Sequence, residues 1–265
     1  MKTAVLSDIH GNLAALEAVI RDIEKRGGAD QFWSLGDIID YGPEPHLCLE
    51  RIRQLNAVGI VGNHEYAVAG KMDLREFRAE VAVVTNWTRQ QMSEQDLAFI
   101  LALPLTLETG DFTLAHGSPR DPLREYVLSD ADAAENWSYF KTRCCLIGHT
   151  HVPLCFKIKD VHDTGQGLNH LRSTNLNSLS DWNELIRQNR NRECKIELTK
   201  GRFIFNPGSV GQPRDHDPRA AYALIDSTAN TLELRRVEYD IAATRRRMAE
   251  LKLPEWLSSR LSEGL

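Results

Sequence analysis

Seven residues able to hold a metal ion stand at the ends of short apolar runs: Asp8 and His10, Asp37, Asn63, His116, and His149 with His151. They come in five polar clusters: Asp8-Ile-His10, Gly36-Asp37, Gly62-Asn63-His64-Glu65, His116-Gly117 and Gly148-His149-Thr150-His151. Any one of these residues alone is most simply a turn former or a helix cap. Five clusters, each behind a strand-like run, fit surface decoration poorly. Carboxylate, amide and imidazole donors together suit Mn, Fe, Zn, Co or Ni better than calcium, and the absence of thiolates among them argues against a structural zinc. Seven donors are too many for one open metal; they suit two ions about 3.5–4 Å apart, clamping a phosphoryl group. In Asp-x-His and His-x-His, alternate side chains of an extended segment share a side, so the two members of each pair are expected to meet one site.

The elements that must position these residues follow from apolar spacing. Thr3-Ala-Val-Leu6 reads as a buried strand ended by Ser7-Asp8. From Asn12 to Arg26, Leu13, Leu16, Val19, Ile20 and Ile23 recur at helical spacing, with Asn12 as N-cap and Gly27-Gly28 as the stop. Phe32–Leu35 and Val58–Val61 read as further strands, with a helix over 44–56 between them. Residues 73–101 read as helical, closed by Pro104, followed by a hairpin of Leu105–Leu107 with Phe112–Ala115 and a helix near 130–141. Cys144–Ile147 and residues 154–158, 202–205, 221–226 and 231–238 read as strands. The strand–helix–strand rhythm predicts a partly parallel α/β sheet, whose ligands collect beyond the carboxyl ends of the strands. Residues 160–200 are rich in Asn, Ser, Gly and Arg, with a short helical patch at Trp182–Ile186, and read as an insertion or lid. From Ile241 a basic amphipathic helix runs on, interrupted by Pro254.

The chain has 265 residues, 42% of them hydrophobic and 26% charged, which excludes a disordered chain, a fibre and a disulfide-dense miniprotein. The opening apolar run carries Asp8 and His10 and is too short to cross a bilayer or to serve as a signal peptide, so a cytoplasmic, membrane-free protein is expected. The five cysteines form no C-x-x-C pair and read as free thiols, with Cys144-Cys145 in the core. A net charge of -5 argues against stable binding of long nucleic acids by bulk electrostatics, but not against a phosphorylated substrate.

The blocks Asp8-Ile-His10-Gly11-Asn12, Gly36-Asp37-Ile-Ile-Asp40, Gly62-Asn63-His64-Glu65, His116 and Gly148-His149-Thr150-His151 resemble, in order and in full, the motifs of the calcineurin-like metallophosphoesterases. The resemblance runs to about residue 155 and resumes at Phe205-Asn-Pro-Gly-Ser-Val-Gly-Gln-Pro-Arg214, which is similar to the closing segment of the family's small bacterial members. It implies an α/β fold, the family's four-layer α/β/β/α sandwich of two mixed sheets flanked by helices, over a single domain of residues 1–265. It also implies two divalent or trivalent transition-metal ions, Mn first and Fe, Zn, Co or Ni as alternatives. Asp8, His10, Asp37 and His151 would hold one, and Asp37, Asn63, His116 and His149 the other. A metal-bridging hydroxide would attack phosphorus in line, with His64 as general acid and Asp40 orienting it.

Arg214 and Asn63 are the candidates for substrate contact. Arg214 either grips phosphate or forms a loop salt bridge with Asp215 or Asp217; Asp40 either orients His64 or caps the turn into Gly42-Pro43. Glu65 and Asn206–Ser209 read as structural, His46, His162, His170 and His216 as solvent-facing or turn residues, and Arg245–Arg247 as a solvated helix face. The expected activity is phosphodiester or phosphomonoester hydrolysis on a small or nucleotide-like substrate. A diadenosine polyphosphate hydrolase or a serine/threonine phosphoprotein phosphatase is the second reading. Those branches of the family usually follow the second block with Arg-Gly, where this chain has Tyr41-Gly42. A nuclease ranks below them, as does a silent binding scaffold, which would need one of the seven positions to be substituted.

Overall fold

The computed structural model describes residues 1–158, 194–198 and 201–265. Two mixed sheets lie face to face. The first has six strands in the order β3 (Val58–Gly59), β2 (Gln31–Ser34), β1 (Lys2–Leu6), β10 (Ala220–Asp226), β11 (Thr231–Val237), β8 (Cys194–Glu197). The second has five, in the order β4 (Thr106–Thr109), β5 (Phe112–Ala115), β6 (Cys144–Leu146), β9 (Arg202–Pro207), β7 (Pro153–Ile158). The pairs β1/β2, β2/β3, β5/β6 and β6/β9 are parallel, and the remaining pairs are antiparallel.

Alternation along the strands builds the layers. Val5, Trp33, Cys144, Leu146, Phe203, Phe205, Ala223 and Ile225 form the core between the sheets. Their strand neighbours point outward. Ala4, Leu6 and Tyr222 pack on the helices α1 (Leu13–Lys25) and α2 (Pro45–Gln54) through Leu16, Val19, Ile20, Cys48 and Ile52. On the far side Cys145, Ile147, Phe156 and Ile204 pack against Ala133 of α6 (Asp130–Asn136) with Trp137 and Phe140. The four layers are therefore the predicted ones. All five cysteines are free and buried, as expected of core residues.

Local signals explain most boundaries. The Asn12 side chain accepts from the Ala15 amide at 3.2 Å and starts α1. Gly27, at φ 93, ends it, with the Gly28 amide on the Ile23 carbonyl at 3.0 Å, a Schellman closure that needs a left-handed residue. The expected helix over 73–101 is two helices, α4 (Ala79–Gln91) and α5 (Glu94–Ala102), preceded by a single 3-10 turn at Leu74–Glu76. Ser93 makes the break: its hydroxyl accepts from the Asp96 amide at 3.1 Å, and Asp96 accepts from the Ser93 amide at 2.9 Å, a capping box written in the sequence as Ser-Glu-Gln-Asp. The helix expected near 130–141 stops at Asn136. The strand expected over Val58–Val61 pairs only through Gly59. The Ile60 amide still reaches Ser34, but that of Val61 turns to the Pro104 carbonyl.

Of the segment 160–200, Cys194–Glu197 is the edge strand β8, paired with β11; the helical patch at Trp182–Ile186, His162 and His170 lie outside the described residues. The chain's last elements, α7 (Ile241–Glu250) and α8 (Glu255–Ser259), fold back as a hairpin whose Met248, Leu253, Leu257 and Leu261 pack on Tyr41 and α4. Arg245, Arg246 and Arg247 face solvent. Among the described residues no helix is long and apolar enough to cross a membrane.

Glu65 joins the layers at the point where the site forms. It is fully buried on α3 (Asn63–Val68) and accepts from four backbone amides: Asp37 at 2.7 Å, Ile38 at 2.6 Å, Ile39 at 3.1 Å and Gly62 at 2.8 Å. Glu65→Ala would strand these donors in the interior. At about 1–3 kcal/mol for each unpaired buried group, a loss of at least ~3 kcal/mol is expected in urea unfolding, whereas Glu65→Gln, which keeps two acceptor positions, loses less.

Candidate metal centre

Asp8, His10, Asp37, His116, His149 and His151 lie in loops immediately beyond strands, and these loops are tied to one another. Past β1 and β2 the backbone continues to pair outside regular strand geometry: Asp8 N–Gly36 O 3.1 Å, His10 N–Asp37 O 2.9 Å, Gly11 N–Ile38 O 2.9 Å. The expected extended Asp-x-His and His-x-His segments are not extended. Asp8, His10, Asp37, His149 and His151 all adopt left-handed φ between 49 and 67. Such conformations cost a non-glycine residue about 1–2 kcal/mol each and persist because the surrounding contacts fix them. The turned backbone also sends the two histidines of His149-Thr150-His151 to different partners.

Two donor groups result, each with its ligand atoms within 4.8 Å of one another: Asp8, His10, Asp37 and His151, and Asp37, His116 and His149. Asp37 belongs to both. The Asn63 Oδ1, at the first residue of α3, lies 3.0 Å from His116 Nε2 and joins the second group. All seven predicted residues are thus brought together and buried.

Their hydrogen bonds leave the Nε2 atoms facing inward. Nδ1 of His10 donates to Ile39 O at 3.2 Å, that of His116 to Leu35 O at 2.8 Å and that of His151 to Gln212 O at 2.6 Å. These bonds to backbone carbonyls fix each ring with Nε2 toward the carboxylates, the usual orientation for a metal-ligating imidazole. His10 Nε2 and His151 Nε2 then face each other at 3.1 Å, Asp37 Oδ2 stands 3.1 Å from His116 Nε2, and His149 Nε2 is buried with no hydrogen-bond partner. Facing imidazole nitrogens and an unpartnered one, gathered around buried carboxylates, fit cations between them. Gly62 makes room, since a Cβ there would lie 2.1 Å from Asp37 Oδ1.

The electrostatics agree. Burial drives His10 and His151 well below the ordinary imidazole range and His149 to about 3, so these three are neutral. Burial also opposes a charge on His116, but Asp37 at 3.1 Å outweighs it and raises that ring to about 9. Against the burial cost, His116 and His64 hold Asp37 well below the carboxylate range. Without cations, a proton on His116 neutralises Asp37.

The closing segment Asn206–Arg214 braces the site, as expected of Asn206–Ser209. The Asn206 amide donates to Gly148 O at 2.6 Å, Ser209 Oγ donates to Asp8 O at 2.7 Å, and Gln212 O receives His151. His64 Nδ1 and Asp40 Oδ2 are 2.7 Å apart, while Asp40 Oδ1 accepts from the Tyr41 amide at 2.8 Å, so Asp40 both orients the imidazole and caps its own turn. Thr85 and Thr88 of α4 donate to Asp40 at 2.7 Å and 3.1 Å. No local pattern pointed to them, because their partner lies 45 residues away.

Arg214 does not make the loop salt bridge: Asp215 pairs with Arg236 and Asp217 with Arg219. Its guanidinium donates to Gln212 Oε1 at 2.8 Å, and its charge reaches Asp8, His10, His149 and His151. Sequence reading also missed two tyrosines. Tyr41 packs on His10 and His64, with centroids 4.6 and 4.5 Å apart, and Tyr126 stacks on His149 at 4.0 Å. His46 is half exposed, but reaches Asp96 at 2.9 Å, and His216 is exposed.

Paired sheets that deliver two buried Asp/His groups sharing one carboxylate define the metallophosphoesterase class. The family model for calcineurin-like phosphoesterases matches residues 1–153, and the chain belongs to that family. A Methanocaldococcus jannaschii protein, MJ0912, is 36% identical over 98% of this chain and 97% of its own. The crystal structure of a metallophosphoesterase from Sphaerobacter thermophilus superposes with a TM-score of 0.80 at 38% identity, covering 100% of this chain and 99% of that one. Phosphodiesterase YfcE of Escherichia coli is 24% identical over 86% of this chain and 88% of its own.

Cations that bind only the folded chain must raise its stability. At a metal concentration about 100-fold above Kd the gain is about 2.7 kcal/mol, or roughly 5–10 °C in Tm on adding Mn to chelator-treated protein. Because loading displaces the His116 proton, held up to about 9, metal competes better as pH rises, and the shift should grow from pH 7 to pH 9. A Tm indifferent to Mn at every pH would count against a metal centre.

Proposed function

We propose that the chain hydrolyses phosphodiesters or phosphomonoesters of small or nucleotide-like substrates, using two transition-metal ions, with Mn the first choice. The observation that carries this reading is the sharing of Asp37 by two buried donor groups whose candidate ligand atoms face one another. Asp8, His10, Asp37 and His151 would hold one ion, and Asp37, Asn63, His116 and His149 the other. When bound, such a pair supplies a water nucleophile ionised near neutral pH and neutralises the phosphoryl oxygens. The family membership and the resemblance to a bacterial phosphodiesterase support the reaction class.

The chain's own residues supply the rest. His64 stands 5.0 Å from His10, ring to ring, with its Nδ1 tied to Asp40, so Nε2 is the atom left to meet substrate. Burial opposes its charge, but Asp37 and Asp40 prevail and hold it above the ordinary imidazole range. We assign His64 the delivery of a proton from Nε2 to the leaving oxygen, and Asp40, fixed by Thr85 and Thr88, the positioning of that ring. Arg214, free of any carboxylate among the described residues, is assigned to the phosphoryl oxygens together with the Asn63 amide.

Protein reconstituted with Mn should retain two equivalents by elemental analysis and turn over bis(p-nitrophenyl) phosphate. Asp37→Ala should lose both, activity falling by at least about 100-fold. Neither metal nor turnover in the wild type would overturn the reading. His64→Ala should slow alkyl esters, which need leaving-group protonation, by about 10²–10⁴-fold, and activated aryl esters far less. Equal losses on both would remove His64 from the acid role.

A further inference from the structure

Tyr126 is 47% exposed although its ring lies on the His149 imidazole, with centroids 4.0 Å apart and planes 26° apart. One face is therefore covered, while nearly half of the residue's surface stays open beside the candidate metal centre. The ring is held there firmly. Gly117 donates to Pro122 O at 2.7 Å, and Asp121 N donates to Ser118 Oγ at 2.9 Å. The Glu125 carboxylate gathers Ser118, Arg120 and the Asn136 amide, and Val127 is fully buried in the cluster over the second sheet. A loop so tied on both sides of one residue presents that residue preorganised, at little entropic cost on binding. The polar surroundings are also set: the Arg214 guanidinium lies beside the Tyr126 hydroxyl.

We propose that the open face of Tyr126 is a stacking platform for a nucleobase carried by the phosphoester, which makes Tyr126 the residue that selects nucleotide over simple alkyl substrates. The assignment rests on the phosphoesterase reading above. The flat ring gives a base its π-contact, and the several N–H groups of the Arg214 guanidinium beside it suit a ring with polar edges rather than a plain aryl group. The phosphoryl group then falls at the metal groups, because the platform itself rests on His149.

The test compares affinities, by calorimetry on Mn-loaded protein, for the 5′-methylene phosphonates of thymidine and of 2-deoxyribose, which differ only in the base and cannot be cleaved. The wild type should prefer the thymidine compound by about tenfold. Tyr126→Ala should abolish that preference, and Tyr126→Trp should keep it. The ratio between ligands is the readout, so a general disturbance of His149, which would weaken both alike, cannot imitate the result. A preference that is absent in the wild type or survives in Tyr126→Ala overturns the platform and leaves the phosphoesterase reading intact. Benzylphosphonate binding as tightly as the thymidine compound overturns the nucleobase assignment. Absence of Mn-dependent turnover in the wild type overturns the phosphoesterase reading and this proposal with it.

Discussion

The buried carboxylate of Asp37 is the constraint to which the rest of the site answers. An isolated charge in the interior costs far more than a folded chain can spare, so it must be matched by a cation or a proton. Here it meets the rings of His10, His116 and His151, whose Nε2 atoms point inward because each Nδ1 is already committed to a backbone carbonyl. The protein's own balance is a proton on His116; a pair of metal ions would replace it and reverse the local sign from acidic to cationic. This is how a chain with a net charge of -5 can attract a phosphate at one point.

Holding Asp37 requires a rigid frame around it, and the frame is made of backbone. Glu65 binds four amides at the two loops that flank Asp37, and the closing segment Asn206–Arg214 binds Asp8, Gly148 and His151 from the opposite sheet. The left-handed conformations of five candidate ligand residues show what the frame does. They are unfavourable locally, and the loops beyond β1, β2 and β6 keep them only because each is locked by its neighbours. The C-terminal hairpin completes the frame by packing on Tyr41, whose ring supports His10 and His64.

The candidate acid sits at the edge of the same frame. His64 follows Asn63 on α3, while its positioning partner Asp40 lies on the loop after β2 and is fixed by two threonines of α4. Three elements must therefore be in place before one imidazole is oriented. Tyr41 packs on its ring, and Tyr126 lies across the site on His149.

Much of this was written in the chain order. Strand identity follows from short continuous apolar runs such as Thr3–Leu6 and Phe203–Phe205, and the candidate ligand residues follow from their place just beyond such runs, because an α/β sheet gathers polar loops at one end. The Ser93–Asp96 capping box was equally local, although the charge-rich helical pattern around it hid the break. Tertiary structure alone decided the rest. It split His149 from His151, because a left-handed turn and not an extended strand carries them. It gave Asp40 its threonines, Arg214 its freedom from Asp215 and Asp217, and Tyr126 its seat on His149. The division has one physical cause. Residue type and spacing determine which atoms can serve as donors and where along the chain they occur, but the direction in which a side chain points from a loop is set by contacts with segments far away in sequence.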